Sequence, residues 1–170
     1  MFREHLRDLL RQMEWADALV WRAALVLNGA AEDAVLRERL HHIHSVQHLF
    51  LQVWRGEPPQ IRELAAFADL RAMMGWAREA YPQALGHLDG LGDEALEQEV
   101  ALPWAQQVEQ RLGRISPITL ADTALQVVYH SAYHRGQVNT RLRELGGEPP
   151  LTEFIAWVWF GRPAADWPSP

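Results

Sequence analysis

His130-Ser131-Ala132-Tyr133-His134-Arg135-Gly136-Gln137 places two imidazoles four residues apart inside a long segment of helical periodicity. On a helix such positions differ by about 40° around the axis and about 6 Å along it, so both rings can reach one metal ion. A third ligand has to come from elsewhere in the chain. The histidine-rich segment Leu40-His41-His42-Ile43-His44-Ser45-Val46-Gln47-His48 also reads as helix and lies far away in sequence. Imidazoles on two such helices describe a metal site assembled between facing helices of a bundle.

The helix that carries His130 and His134 opens at Ile118-Thr119, with Thr119 a suitable cap and Asp122 in the first turn. It closes with Arg141 and Arg143 before Gly146-Gly147. Phe2 to Leu27 carries Leu6, Leu10, Met13, Val20, Ala24 and Leu27 at helical spacing and stops at Asn28-Gly29. Glu32 to Trp54 repeats the pattern with Val35, Leu36, Leu40, Ile43, Val46, Phe50 and Val53, and these two helices should pack antiparallel across a short turn. Phe67 to Leu88 reads as a third helix that Pro82 should kink or split. Gly90 to Pro117 is the least regular part, expected to be a long connection with a short extended piece at Glu97 to Leu102. Thr152 to Phe160 is expected to be a short docked helix, and the Pro-rich residues 161–170 a loose tail. The expected fold is all-α: one domain over residues 1–160, a four-helix bundle with a long connection before the fourth helix and a short C-terminal helix.

Composition narrows the function classes. A chain of 170 residues with 48% hydrophobic content can bury a substantial core. The formal charge of -6 and pI near 5.7 argue against a partner recognised through its phosphates, so nucleic acid is not expected. No apolar run approaches the roughly 20 residues of a membrane span, and Met1-Phe2-Arg3-Glu4-His5 does not begin a signal peptide, which points to a cytoplasmic protein without a membrane partner. There is no cysteine, so any metal is held by nitrogen and oxygen. There is no lysine either, which excludes Schiff-base chemistry.

Helix angles sort the histidines. Relative to the apolar positions of the second helix, His42 lies within about 70° of their centre, while His41, His44 and His48 lie about 130° or more away. His42 is therefore expected to face the bundle interior, and the other three to be solvated. On the fourth helix Val127, Ser131, Val138, Leu142 and Leu145 define the inner face, with His134 on it and His130 at its edge. A single inward histidine is most simply a core residue satisfied by hydrogen bonds. Three converging ones, His42, His130 and His134, are better explained by a divalent cation that accepts one lone pair from each. Asp17 falls on the apolar stripe of the first helix, where an ionised acid needs a partner. It either assists the metal site, orienting a ligand or acting as a general base, or forms a buried ion pair with Arg135 or Arg141. Gln137 can hydrogen-bond near the same place or simply be solvated. Gly136 inside a helix suggests close approach by a neighbour. Trp residues such as Trp15, Trp54, Trp76, Trp157 and Trp159 are expected in core packing, with some available to line an apolar pocket near the metal.

These segments together resemble the DinB/YfiT-like superfamily of metal-binding four-helix bundles, which is unrelated to the DNA polymerase of the same name. Trp15-Ala16-Asp17 is similar to its Trp-Ala-Asn in the first helix, and Leu40-His41-His42-Ile43 with Leu49-Phe50-Leu51 and Arg55-Gly56-Glu57 to its second-helix ligand segment. His130 to Gln137 resembles its His-x-x-x-His-Arg-Gly-Gln signature, and Leu145 to Pro150 with Phe154 to Trp157 its C-terminal segment. The resemblance implies His42, His130 and His134 as ligands of one divalent metal, expected to be zinc or nickel because neutral imidazole suits both and no softer donor is present. A homodimer is expected from the family and from the apolar segment Trp157 to Phe160. Asp17 replaces the usual Asn, and Gln47 stands where many members have an acid. Characterised relatives include thiol S-transferases and isomerases that use low-molecular-weight thiols such as bacillithiol or mycothiol.

The expected function is metal-dependent activation of a thiol or water toward a small-molecule substrate, transferase-like or hydrolase-like, with a low-molecular-weight thiol as a possible cosubstrate. The alternatives are a non-enzymatic metal-binding stress-response protein and a small-ligand binding module.

Overall fold

The computed structural model describes residues 2–169. Helix α1 (Phe2–Val26) buries Leu6, Leu10, Met13, Asp17, Val20, Trp21 and Ala24, and the chain turns after it at Gly29, whose φ of 80° suits a residue without Cβ. Helix α2 (Ala34–Trp54) is capped by Asp33, whose carboxylate accepts from Leu36 N at 2.7 Å. The same carboxylate pairs with Arg141 at 2.6 Å and so ties the start of α2 to the end of helix α7 (Leu120–Glu144). Further links run Arg39 to Gln137, Gln47 to Ser131, and Trp54 to Thr123. One sequence number rises as the other falls, so α2 and α7 are antiparallel neighbours.

The expected third helix is split, but not at Pro82. Helix α3 (Leu70–Arg78) and helix α4 (Ala80–Asp89) meet at Glu79, and Pro82 lies in the first turn of α4, where its missing N–H forfeits no helical bond. The connection that follows contains more helix than its Gly and Pro content suggested. Helix α5 (Asp93–Leu96) precedes an antiparallel bridge between Glu99 and Thr119, and helix α6 (Ala105–Leu112) fills most of the loop between them. The extended piece near Glu97 to Leu102 is thus present as one side of that bridge, with Val100 N bonded to Ile118 O at 2.9 Å. Thr119 and Asp122 cap α7 reciprocally, each side chain accepting from the other's backbone. Helix α8 (Phe154–Trp159) docks through Ala156 and Trp157.

Three expectations fail here. Helices α1 and α2 do not pack side by side; each lies against α7 and α4, so the two face each other only across the core. A Cβ at Gly136 would meet nothing within 4 Å; the close approach is instead at Gly147, where it would sit 3.0 Å from a Leu27 methyl. The tail is not loose over residues 162–169; Pro170 lies outside the described residues. Trp167 packs against the main apolar clusters and donates to Glu14 at 3.1 Å, Arg162 pairs with Asp8, and Arg22 pairs with Asp166. An indole that still has apolar area to bury outweighs the chain stiffness and polarity that suggested a free end.

One apolar cluster gathers Trp21, Leu36, Leu40, Met73, Met74 and Leu142; another gathers Leu6, Leu10, Phe50, Tyr81 and Val127. Between them in helix order, on α1, α2 and α7, lie the buried polar residues Asp17, His44, Gln47, Ser131 and Arg135. No helix of the described residues is long and apolar enough to cross a membrane.

Candidate metal centre

The polar layer sets the position of α7. Asp17 accepts from Arg135 at 2.5 Å, from Gln47 at 3.0 Å and from the Tyr81 hydroxyl. Burial and the adjacent Asp17 carboxylate push the Tyr81 pKa well above its usual value, so the phenol stays a donor. Gln47 also donates to Ser131 at 3.0 Å and accepts from His44 Nδ1 at 2.8 Å. Trp21 Nε1 donates to His44 Nε2 at 2.8 Å. The ring of His44 is therefore neutral, one nitrogen donating and the other accepting, and burial lowers its pKa to about 4. The ion pair with Arg135 that the sequence allowed for Asp17 is present, and the carboxylate has three donors around it.

Ser131 and Arg135, fixed by this layer, each follow a histidine of the signature. His130 and His134 consequently emerge at the flank of α7 beside α2, half-buried, where they meet His42. Ring centroids lie 4.9 Å apart for His42 and His130, 4.4 Å for His42 and His134, and 4.3 Å for His130 and His134. One ring nitrogen from each falls within 4.8 Å of the others, and the Nε2 atoms of His42 and His130 are 3.2 Å apart. Ligands bonded tetrahedrally at 2.0–2.1 Å stand about 3.3 Å from each other. The donor set therefore fits a divalent ion after small side-chain adjustments.

Protonation favours the same fit. Burial first, then the neighbouring imidazoles, lower the pKa of His42 and bring that of His130 to about 4, so both rings are neutral at pH 7 and offer lone pairs. His134 Nδ1 bonds Gln137 Oε1 at 2.8 Å; an amide oxygen only accepts, so Nδ1 carries the proton and Nε2 is left as donor to a metal. His130 Nδ1 is buried and has no hydrogen-bond partner. Two neutral imidazoles that meet through Nε2 can share only one proton, whereas a cation accepts both lone pairs.

The structure brings together the three histidines singled out by sequence but corrects the reason. His42 is exposed, on the flank of α2, and His44, expected in solvent, is the fully buried one at 1% exposure. Val35, Val46 and Val53 had drawn the apolar centre toward the flank that carries His42; they are exposed or half-buried there. The true core line of α2 runs through Leu36, Leu40, Ile43, Gln47 and Phe50, with the polar Gln47 near its middle. His41 and His48 are not simply solvated either, since both stack on Trp76, at 5.7 Å and 4.5 Å. Sequence reasoning missed Gln47, Tyr81 and His44 as members of the layer. The three-residue spacing of His44 and Gln47, the same as that of His134 and Gln137, was a legible signal of a local bond.

Beside His130 a cavity of about 740 Å³ opens between α2, α7 and α6, walled by residues such as Phe50, Trp104 and Val108. Trp104 stands edge-on to Phe50 at 5.5 Å.

Together these features define a class: an all-α bundle protein with a three-histidine group, partly open to solvent, that can hold a divalent ion. The chain matches the DinB family over residues 27–161 and belongs to that family. The matched span contains all three histidines and every helix from α2 to α8, while Asp17 lies before it. No curated protein matches the chain.

Proposed function

We propose that this protein is a metal-dependent enzyme that activates a thiol or a water molecule at a mononuclear three-histidine centre for attack on a small-molecule substrate. The observation that carries this reading is the convergence of His42, His130 and His134 at a place where His42 is exposed. Three protein ligands with access from solvent leave room for a reactant, whereas structural zinc sites fill all four positions with protein groups. Neutral nitrogen donors without a thiolate suit zinc or nickel, one ion per chain.

A divalent ion bound there would supply Lewis acidity, lowering the pKa of a thiol or water enough to make a nucleophile at neutral pH. The residues of the chain prepare for this. Partial desolvation of the rings and the neighbouring imidazoles hold the pKa values of His42 and His130 below the usual histidine value, Gln137 aims Nε2 of His134, and the Asp17–Arg135 pair holds α7 in register immediately beside His134. With all three donors already on its carboxylate, Asp17 is assigned the structural ion pair and not the role of general base. Thiol transfer is favoured over hydrolysis by the resemblance to thiol-using DinB-like proteins, and a low-molecular-weight thiol is then the cosubstrate.

Cobalt substitution tests the reading. The visible spectrum of the cobalt-loaded protein should shift on addition of a small thiol or acetohydroxamate, because an open position exchanges ligands. A cobalt spectrum indifferent to both would mean a closed, structural site and would overturn the catalytic reading.

A further inference from the structure

The apolar cleft beside His130 is more than the metal centre itself requires. Its cavity of about 740 Å³ shares Leu102, Trp104, Val108 and Ile118 with a second cavity of about 460 Å³ on the other side of the same connection. Each lies in the range that encloses a small organic ligand. The first is continuous with the histidine group, because His130 belongs to its wall.

Its chemistry is selective. Among the described residues, no arginine lines either cavity, and the chain has no lysine. The acidic residue lining the cavity beside His130 is Asp122, whose carboxylate accepts from the amide and hydroxyl of Thr119, both at 2.8 Å. An anionic ligand would meet no counter-charge here. An uncharged apolar group would cover side chains that water now touches, among them Leu112, which lines the cleft although 79% exposed. One polar group is placed to orient such a ligand: Gln126 lines the cleft four residues before His130, one turn away on α7. The outer wall, α6, buries none of its own residues, so it can yield to admit a ligand.

We propose that this cleft binds the uncharged alkyl or aryl part of the substrate, with Gln126 bonding a polar atom near the reactive end and that end directed to the histidine group. The placement of the reactive end rests on the metal-centred function proposed above; the selectivity of the cleft does not.

Two fluorescent probes of one skeleton test the cleft in metal-free protein: neutral N-phenyl-1-naphthylamine and its sulfonated analogue 8-anilino-1-naphthalenesulfonate. The neutral probe should bind at one site per chain and at least tenfold more tightly than the sulfonate. Val108→Glu should weaken it tenfold or more, and so should Leu112→Glu, which changes an exposed side chain and leaves the fold intact by circular dichroism. Equal binding of the two probes, or neutral-probe binding untouched by both variants, would overturn the proposal. The link to the centre is read separately with zinc-loaded protein and linear alkyl hydroxamates from acetyl to octanoyl. Affinity should rise about fourfold per added CH₂. A flat series on protein that holds zinc would overturn the proposal while sparing the metal centre. Failure to hold zinc at all, with neutral-probe binding intact, would overturn the metal-centred function and leave the apolar selectivity of the cleft standing.

Discussion

Asp17 shows what a single carboxylate can organise from the middle of a core. Its partners come from α2, α4 and α7, and Arg135, 4% exposed, has no comparable acid elsewhere in the layer. Asp17→Asn keeps the size and one acceptor but leaves the guanidinium without its counter-charge, at a cost of about 3 kcal/mol. Calorimetric melting should show that loss, with stoichiometric metal and turnover per folded molecule preserved. Loss of metal or of turnover at unchanged stability would mean that Asp17 acts on the ligands or the reaction directly. His44 makes a second prediction. Its pKa is about 4 in the folded protein against 6.5 for the free side chain. Well above pH 6.5 neither state is protonated and His44 adds no pH dependence. Below it the unfolded chain takes up a proton that the folded protein resists, so stability falls as pH drops toward 4. Between pH 7 and 5 this one group should cost about 2 kcal/mol. Urea titrations in the presence of chelator, comparing wild type with His44→Leu, should show a steeper pH dependence in wild type; parallel curves would contradict the assignment. Neither residue could be placed fully from sequence. Asp17 was legible as an inward acid needing a partner, but choosing Arg135 over Arg141 needs the rotation of α7. His44 was misplaced because an apolar average cannot see a core line with glutamine near its middle.

At the scale of elements, legibility followed local chemistry. Helices α1, α2 and α7 carry long apolar stripes and strong ends: Asp33 before α2, the Thr119–Asp122 box before α7, and glycines beyond α1 and α7. The split between α3 and α4 was readable as an interruption, yet its place was not, since proline in a first turn is compatible with helix. Helix α6 was overlooked within a region judged by its overall Gly and Pro content. Its span begins just after Pro103 and ends at Gly113, whose φ is 86°, and boundary signals alone could have found it. The tail was misread because one tryptophan outweighs a run of prolines. Trp167 bridges the core clusters and α1, so Trp167→Ala should destabilise the bundle by about 2 kcal/mol, less than a fully buried tryptophan would cost. Urea unfolding would measure it, and an unchanged midpoint would show the tail to be incidental.

The whole molecule is a frame that turns a buried ion pair into a surface site. Pairing of α2 with α7 brings residues 88 positions apart, His42 and His130, within hydrogen-bond distance. The polar layer beneath fixes which face of α7 turns inward, and the histidines take the adjoining flank. The bundle, the pairing of these helices and the identity of the three histidines were legible in the sequence, through the four-residue spacing and the family signature. The openness of the site was not, because exposure depends on where α6 and the rest of the connection lie. Assembly is a separate matter. Ile155, Trp159 and Phe160 remain 45%, 77% and 63% exposed around the docked Trp157, apolar area suited to a second copy of the chain. Light scattering should give twice the 19.5 kDa chain mass. A monomeric mass at micromolar concentration would mean that this surface stays in water. His42, His130 and His134 are expected to hold one divalent ion. Elemental analysis of purified protein, wild type beside His42→Ala, His130→Ala, His134→Ala and His44→Ala, decides this. About one zinc or nickel per chain is expected in wild type and in folded His44→Ala, and none in the other three. Stoichiometric metal that survives loss of any of the three, or wild-type protein that takes up no metal from a zinc or nickel solution, would contradict it.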